Sequence, residues 1–312
     1  MYLSVVIPAY NENENIPLVV DNLHRILSGI TELTQYEIIF CDDHSSDGSI
    51  ATIAAMQNPY VRAIRLSKRS GSHVAIRAGL NASKGDIVLC ISADGQEDPA
   101  VLTEMIHKIK SGKDIVWGVR SARKESFFVK QFGLLFYRLL KYFVQNSNKI
   151  DLANADFYLL NRKVVEAINS CKERNTSLFG LIVWIGFKQD QVSYERKERM
   201  NGKSKWSFRS RLKLATDWIL AFSGIPLKLI TLFGVLFSLV GFVYAFIIVI
   251  LYLTGNTTPG WAETVILILM LGGIQMTMIG VIGEYLWRTL DETRDRPLYF
   301  IEEETQPNNN HA

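Results

Sequence analysis

The sequence predicts an α/β protein with a doubly wound, mostly parallel sheet, followed by a hairpin of two membrane helices. Three observations predict it. Short β-branched strands alternate with amphipathic helices over residues 2–118, the pattern of βαβ units. Each strand ends in a polar cluster, so the clusters gather on one edge of the sheet, where open α/β sheets bind ligands. Two uncharged runs follow, Leu229–Leu253 with 25 residues and Thr264–Gly283 with 20, each long enough to cross a bilayer.

Tyr2–Pro8 is a β-branched strand stopped by proline, and the polar turn Ala9–Asn15 leads into an amphipathic helix ending near Gly29. Glu37–Cys41 is the second strand and Asp42–Gly48 its turn; a helix from Ser49 to Gln57 and the strand Val61–Leu66 come next. Ser67–Gly71 reads as a loop and His73–Ala82 as a helix, with Ser70-Gly71-Ser72 a candidate to close over a ligand. Ile87–Ile91 is an apolar strand, Pro99 opens a helix to Ser111 as a first-turn residue, and Asp114–Gly118 is the fifth strand. No G-x-x-x-x-G-K-[ST] and no G-x-G-x-x-G follows the first strand, which excludes a P-loop and a dinucleotide fingerprint.

The 312 residues suffice for one large domain or two ordinary ones. A net charge of +3 gives no case for nucleic acid, but Lys and Arg cluster at 120–141 and 196–213. Two segments, Gln131–Phe143 and Phe208–Phe222, combine apolar residues at helical spacing with a basic face, which suits helices lying in the membrane interface. Positive charge stands before the first apolar run (Arg209, Arg211, Lys213, Lys228) and after the second (Arg288, Arg294, Arg296), and none lies in the connector Thr254–Glu263. The positive-inside rule therefore places the N-terminal domain and the tail in the cytoplasm. The expected organisation is a cytoplasmic catalytic domain over 1–206, a juxtamembrane segment over 207–228, the hairpin over 229–287 and a cytoplasmic tail over 288–312. Glu302–Ala312 is polar enough to be disordered. Cys41, Cys90 and Cys171 are few and far apart, as buried thiols of a reducing compartment are. The N-terminus runs straight into a strand, with no cleavable signal peptide. Gly272, Gly273, Gly280 and Gly283 permit close helix approach and with it a homo-oligomer.

Chemistry concentrates at Ser92-Ala93-Asp94-Gly95-Gln96-Glu97-Asp98. Mg²⁺ takes one or two carboxylates plus substrate phosphates, so this strand end can hold a cation against a diphosphate. Asp156 precedes an apolar run, where a charge must be paired or functional; an N-cap or a partner for Arg162 is the structural alternative. Arg120, Arg123 and Lys124 after the fifth strand, and Arg199, Lys203 and Lys205 ahead of the membrane, have the chemistry of phosphate clamps. His73 reads as a packing residue, and neither it nor His44 is taken as catalytic.

Val5–Glu12, Asp42–Asp47 and Ala93–Gln96 together resemble the family 2 glycosyltransferases of GT-A fold. Asp156–Leu160, Arg199–Trp206 and the two apolar runs narrow the resemblance to the polyprenyl-phosphate glycosyltransferases, the bactoprenol glucosyltransferases and dolichol-phosphate mannose synthases. The resemblance covers nearly the whole chain. It implies that Pro8, Tyr10, Glu12, Ala93 and Arg120 line the nucleotide-sugar pocket and that Asp42 or Asp43 hydrogen-bonds the base. Asp94 and Gln96 would sit at the metal and diphosphate, with Mg²⁺ or Mn²⁺ as cofactor. Arg123, Lys124, Arg199, Lys203, Ser204 and Lys205 would hold the acceptor phosphate, and Asp156 would act as base or orient the acceptor. Where the family's Asp-x-Asp has its first carboxylate, this chain has Ser92. The Gln-x-x-Arg-Trp of processive synthases is missing, which disfavours a polysaccharide synthase.

The resemblance implies an integral enzyme of the cytoplasmic membrane that transfers one hexose, with inversion, from a nucleotide sugar to a polyprenyl phosphate such as undecaprenyl phosphate. UDP-glucose is the first expectation for the donor, with GDP-mannose or a UDP-amino sugar as alternatives. A flippase and a second transferase would handle the lipid-linked sugar afterwards. The rival from another class is a non-catalytic membrane scaffold with a degenerate transferase domain, which Ser92 alone favours.

Overall fold

The computed structural model describes residues 1–121, 155–174, 177–195, 225–255 and 260–305. They fall into two compact units. One holds the described parts of Met1–Glu173, Ser177–Ser207 and Pro297–Ala312; the other holds those of Arg174–Thr176 and Phe208–Arg296.

The first unit is built on one sheet. Its strands are β1 (Tyr2–Ala9), β2 (Gln35–Asp42), β3 (Val61–Leu66), β4 (Ile87–Cys90), β5 (Ile115–Arg120), β6 (Ala155–Asn161), β7 (Gln189–Tyr194) and β8 (Ile301–Glu304). The spatial order is β7-β5-β6-β4-β1-β2-β3-β8. β1 pairs in parallel with β2 and β4, and β2 with β3. β6 enters antiparallel between β4 and β5, β7 runs parallel to β5, and β8 closes the far edge antiparallel to β3. The first five strands and their helices lie where the apolar patterning predicts them.

Alternation along the strands sends successive side chains to opposite faces, and both faces are covered. Val5, Ile7, Ile38 and Phe40 meet α1 (Asn15–Leu27), α2 (Ser49–Ala55) and α4 (Leu102–Lys110) through Ile16, Leu23, Ile53 and Met105. Val6, Ile39, Cys41 and Trp117 meet α3 (Ser72–Ala82), α5 (Arg162–Ser170) and α6 (Leu178–Trp184) through Ala75, Ala78, Val164 and Leu181. Helix α3 lies so close to the sheet that a Cβ at Gly79 would overlap the side chains of Val6 and Cys41. Cys41 and Cys90 are free and buried, as expected of reduced core thiols; burial pushes the Cys41 thiol up to about 12.

Two features depart from the sequence reading. Asp156 stands in strand β6, so it neither caps a helix nor pairs with Arg162, which instead donates to the Gly85 carbonyl and the Ser83 hydroxyl. The tail is not disordered at Glu302–Glu304, because these residues form β8. Arg62 Nη1 lies 2.8 Å from Glu304, Arg65 Nε lies 2.8 Å from Glu302, and the Ala63 N–H donates to Thr305 Oγ1 at 2.8 Å. Cations of the neighbouring strand thus hold an acidic segment that no apolar pattern marks.

The second unit contains α7 (Ile225–Leu253) and α8 (Trp261–Thr293). Among the described residues one helix, at Ile230–Leu251, is long and apolar enough to cross a membrane, with a mean hydropathy of 2.7. Its side chains, Phe242 and Phe246 among them, are exposed. The second helix includes the other uncharged run and ends in charged residues, with Arg288 Nε 3.0 Å from Glu284. The basic segments at 131–143 and 208–222 lie outside the described residues.

Candidate active site

The carboxyl ends of β1 and β2 are tied into one platform. Asn11, with φ 52°, donates its N–H to Ser45 Oγ and accepts from the Ser46 N–H, both at 2.9 Å. The Asp43 N–H donates to the Ala9 carbonyl at 2.9 Å. His44 also takes a left-handed φ, 61°. Two non-glycine residues so close together in that region mark a turn held by its surroundings, which is common at ligand sites.

The two adjacent aspartates do different work. Asp43 accepts from the Ser70 N–H at 2.6 Å and the Gly71 N–H at 2.9 Å, one to each oxygen. It thereby fixes the loop Ser67–Gly71, and burial raises its carboxyl above the ordinary range. Asp42 is fully buried; its Oδ2 accepts from the Ser45 N–H at 3.0 Å and lies 3.6 Å from Arg65 Nη1. Its Oδ1 is buried with no hydrogen-bond partner. Above the platform the Arg69 guanidinium stacks on Tyr10, 4.0 Å from the ring centroid. Glu12 accepts from the Asn15 side-chain amide at 2.6 Å, and Pro8 lies in β1 opposite Cys41.

The end of β4 brings the carboxylates together. Ser92 Oγ lies 2.6 Å from Asp94 Oδ1 and 2.5 Å from Glu97 Oε2. A hydroxyl carries one proton, so it serves one of these carboxyls and the other must bring its own. Glu97 is 5% exposed, and burial, then the charge of Asp94, lift its carboxyl to about 7, with Asp156 adding to the shift. Asp156 comes from the antiparallel strand. Cys90, the last residue of β4, pairs with Tyr158, two residues from Asp156. The Tyr194 hydroxyl, at the end of β7, donates to Asp156 Oδ2 at 2.5 Å. Gln96 donates its backbone N–H to Asp94 Oδ1 at 3.1 Å, and Ala93 is buried. Asp98 caps the helical turn that Pro99 opens, accepting from the Ala100 N–H at 3.2 Å.

Of the expected residues, the structure gathers Asp94, Gln96 and Asp156 at one strand end and Pro8, Tyr10, Glu12, Asp42 and Asp43 at the neighbouring ones. Arg120 closes β5. Arg123, Lys124, Arg199, Lys203, Ser204 and Lys205 lie outside the described residues. His73 packs as expected: its Nδ1 accepts from the Leu178 N–H at 3.0 Å, and burial lowers its pKa. Glu97, named only as part of the acidic stretch, and Tyr194, Arg65 and Arg69, which were not singled out, complete the site's contacts. The acidic density around Asp94 pointed to Glu97; Tyr194 required knowing that β7 lies beside β5.

Among the described residues no three His, Cys, Asp or Glu side chains are placed to hold a metal ion by themselves. One or two carboxylates together with substrate phosphates is the usual Mg²⁺ set. The Asp94 carboxylate, beside a Glu97 carboxyl lifted first by burial and then by the Asp94 charge, fits a divalent cation of that kind.

A mostly parallel sheet whose strand ends join an acidic turn to clustered carboxylates is the architecture of a GT-A-type transferase. The chain belongs to glycosyl transferase family 2, whose profile matches residues 4–168, and is a glycosyltransferase. It is 40% identical to an uncharacterized glycosyltransferase of Bacillus subtilis (strain 168), YkcC, over 96% of this chain and 93% of that one. It is 36% identical to a prophage bactoprenol glucosyl transferase homolog of Escherichia coli (strain K12), over 96% and 98% of the two chains. It is 34% identical to the bactoprenol glucosyl transferase of Shigella phage SfV, over 98% of this chain and all (100%) of that one. Among solved structures, glucosyl-3-phosphoglycerate synthase from Mycobacterium tuberculosis in complex with Mn²⁺, UDP and phosphoglyceric acid superposes with a TM-score of 0.50 at 18% identity, covering 70% of this chain and 76% of that one. At that identity the likeness shows the shared fold.

Proposed function

We propose that this glycosyltransferase moves one hexose, glucose from UDP-glucose in the first instance, to a polyprenyl phosphate at the cytoplasmic leaflet, with inversion at the anomeric carbon. The observation that carries the reading is near-full-length similarity to proteins named bactoprenol glucosyl transferase. Both uncharged runs span the membrane in this reading, and the charge distribution keeps the catalytic unit and the tail inside.

The turn after β2 receives the base. Asp43 holds the loop Ser67–Gly71 in place, and Tyr10, with Arg69 stacked on it, forms a flat wall beside that loop. Asp94 and Gln96 would hold Mg²⁺ or Mn²⁺, which supplies charge neutralisation at the departing diphosphate. A phosphate acceptor is already anionic at neutral pH and needs placement more than deprotonation. Asp156, fixed by the Tyr194 hydroxyl, orients the acceptor side of the crevice. Arg120, Arg123, Lys124, Arg199, Lys203, Ser204 and Lys205 bind the two phosphate groups. The product is a lipid-linked sugar, which requires a protein that moves it across the bilayer and a second transferase that consumes it.

The test is transfer of labelled sugar from UDP-glucose, GDP-mannose and UDP-N-acetylglucosamine into purified undecaprenyl phosphate, with Mn²⁺, with Mg²⁺ and with EDTA. Label in the lipid from UDP-glucose with a cation bears the reading out, and label from another donor changes the sugar. Asp94→Ala should abolish transfer while membrane insertion persists. Unchanged transfer by that variant would remove Asp94 from the site.

A further inference from the structure

The strand β8 belongs to the catalytic sheet although it follows the membrane helices in sequence, and it touches the nucleotide platform at three places. Glu302 Oε2 lies 2.8 Å from Arg65 Nε, and Arg65 Nη1 faces Asp42 Oδ2 at 3.6 Å. The same Glu302 carboxylate lies 3.3 Å from His44 Nδ1, which also meets the Leu66 carbonyl at 3.1 Å. The Phe300 carbonyl accepts the Ser67 N–H at 2.9 Å. The loop Ser67–Gly71 is therefore pinned at one end by the tail and at the other by Asp43, and Arg69 between the two pins stacks on Tyr10.

Asp42 makes this arrangement consequential. It is fully buried, one of its oxygens has no partner, and its compensation is the Ser45 N–H and the Arg65 guanidinium. A buried carboxylate holds its place only while its partners hold theirs. Arg65 is a long side chain that is costly to order, and Glu302 fixes its Nε edge so that Nη1 faces Asp42.

We propose that the C-terminal strand is a positioning element for nucleotide binding, with Glu302 holding Arg65 against Asp42 and the Phe300 carbonyl holding the start of the loop over the site. Glu302 is a positioning residue, since it acts through Arg65 and His44. The inference rests on reading the turn after β2 as the base site. An edge strand that merely covers β3 would affect stability and leave nucleotide affinity alone, and the two roles separate experimentally.

The experiment is calorimetric titration of the detergent-purified full-length protein with UDP, and in parallel with GDP, in the presence of Mn²⁺. Thermal midpoints are recorded without nucleotide. The variants are Glu302→Ala, Glu302→Gln and, as a control, Glu303→Ala, which removes the same charge from the next residue of the strand. Loss of an exposed ion pair of this kind corresponds to ~3–5-fold in an equilibrium constant. Glu302→Ala should weaken nucleotide binding by about that factor, Glu302→Gln by less because it keeps an acceptor oxygen, and Glu303→Ala not at all, with unchanged midpoints. Equal affinity in Glu302→Ala and the unmodified protein overturns the proposal. So does a parallel fall of affinity and midpoint in both Ala variants, which would make β8 a stabilising edge only. If the unmodified protein binds neither nucleotide, the base-site reading fails and takes this inference with it.

Discussion

Glu97→Gln has the largest predicted effect on stability, and its sign follows from the geometry. Glu97 is buried, shares the Ser92 hydroxyl with Asp94, and lies near Asp156. Burial, then the Asp94 charge, raises its carboxyl from 4.5 to about 7, which corresponds to ~3 kcal/mol. Below the unfolded value the group is protonated in both states and its full contribution to stability is present. As pH rises to about 7 the unfolded chain gives up the proton first, so stability declines, and above that pH the whole contribution is lost. Glutamine stands in for the neutral acid at every pH. In metal-free protein with EDTA, the thermal midpoints of wild type and variant should be close below about pH 4 and separate as pH rises to about 7, the variant becoming the more stable. For a chain of this size ~3 kcal/mol moves a midpoint by several degrees, at ~2–4 °C per kcal/mol. Using the difference between the two proteins cancels the titrating groups that do not interact with Glu97. Parallel curves from acid to alkaline pH would refute the argument, because they would mean that the Glu97 carboxyl gives up its proton at the same pH in the folded and unfolded chain.

Three further outcomes follow from contacts described above. Asp43→Asn places an amide NH₂ against one of the two N–H groups of Ser70 and Gly71, so the donor KM should rise while kcat changes little. Asp156→Asn should lower kcat far more than donor affinity, and equal losses in both would make Asp156 a binding or structural residue. Gly79→Ala forces a methyl into Val6 and Cys41; overpacking of this kind costs ~1–3 kcal/mol, read as a lowered thermal midpoint with nucleotide affinity retained by the folded fraction.

The first five strands and their helices were legible because each buries a periodic apolar set whose partners lie close in sequence. The polar turns at their ends were legible for the same reason, since parallel βαβ units send every strand's carboxyl end to one edge. The rest depends on pairing across long separations. Nothing local in Asp156–Leu160 says that it runs antiparallel beside β4, yet that pairing brings Asp156 close enough for its charge to act on Glu97. Tyr194 closes on Asp156 only because β7 lies next to β5. Glu302–Glu304 looked like part of a solvated tail because three consecutive glutamates have no apolar face. They form a strand because Arg62 and Arg65 wait on the open edge of β3. The separate tasks of Asp42 and Asp43 likewise came only from seeing which one meets the loop and which one meets Arg65.

The place of β8 in the chain also sets an order of events during synthesis. Strands β1 to β3 are made first and can pair as soon as they leave the ribosome, but the outer edge of β3 stays open until Ile301–Glu304 emerges. By then both long helices have been translated. A chain that stops or is cut within those helices presents β3 as an unpaired edge, the kind of surface that recruits other strands. Synthesis through Glu304 is therefore what closes this edge of the sheet.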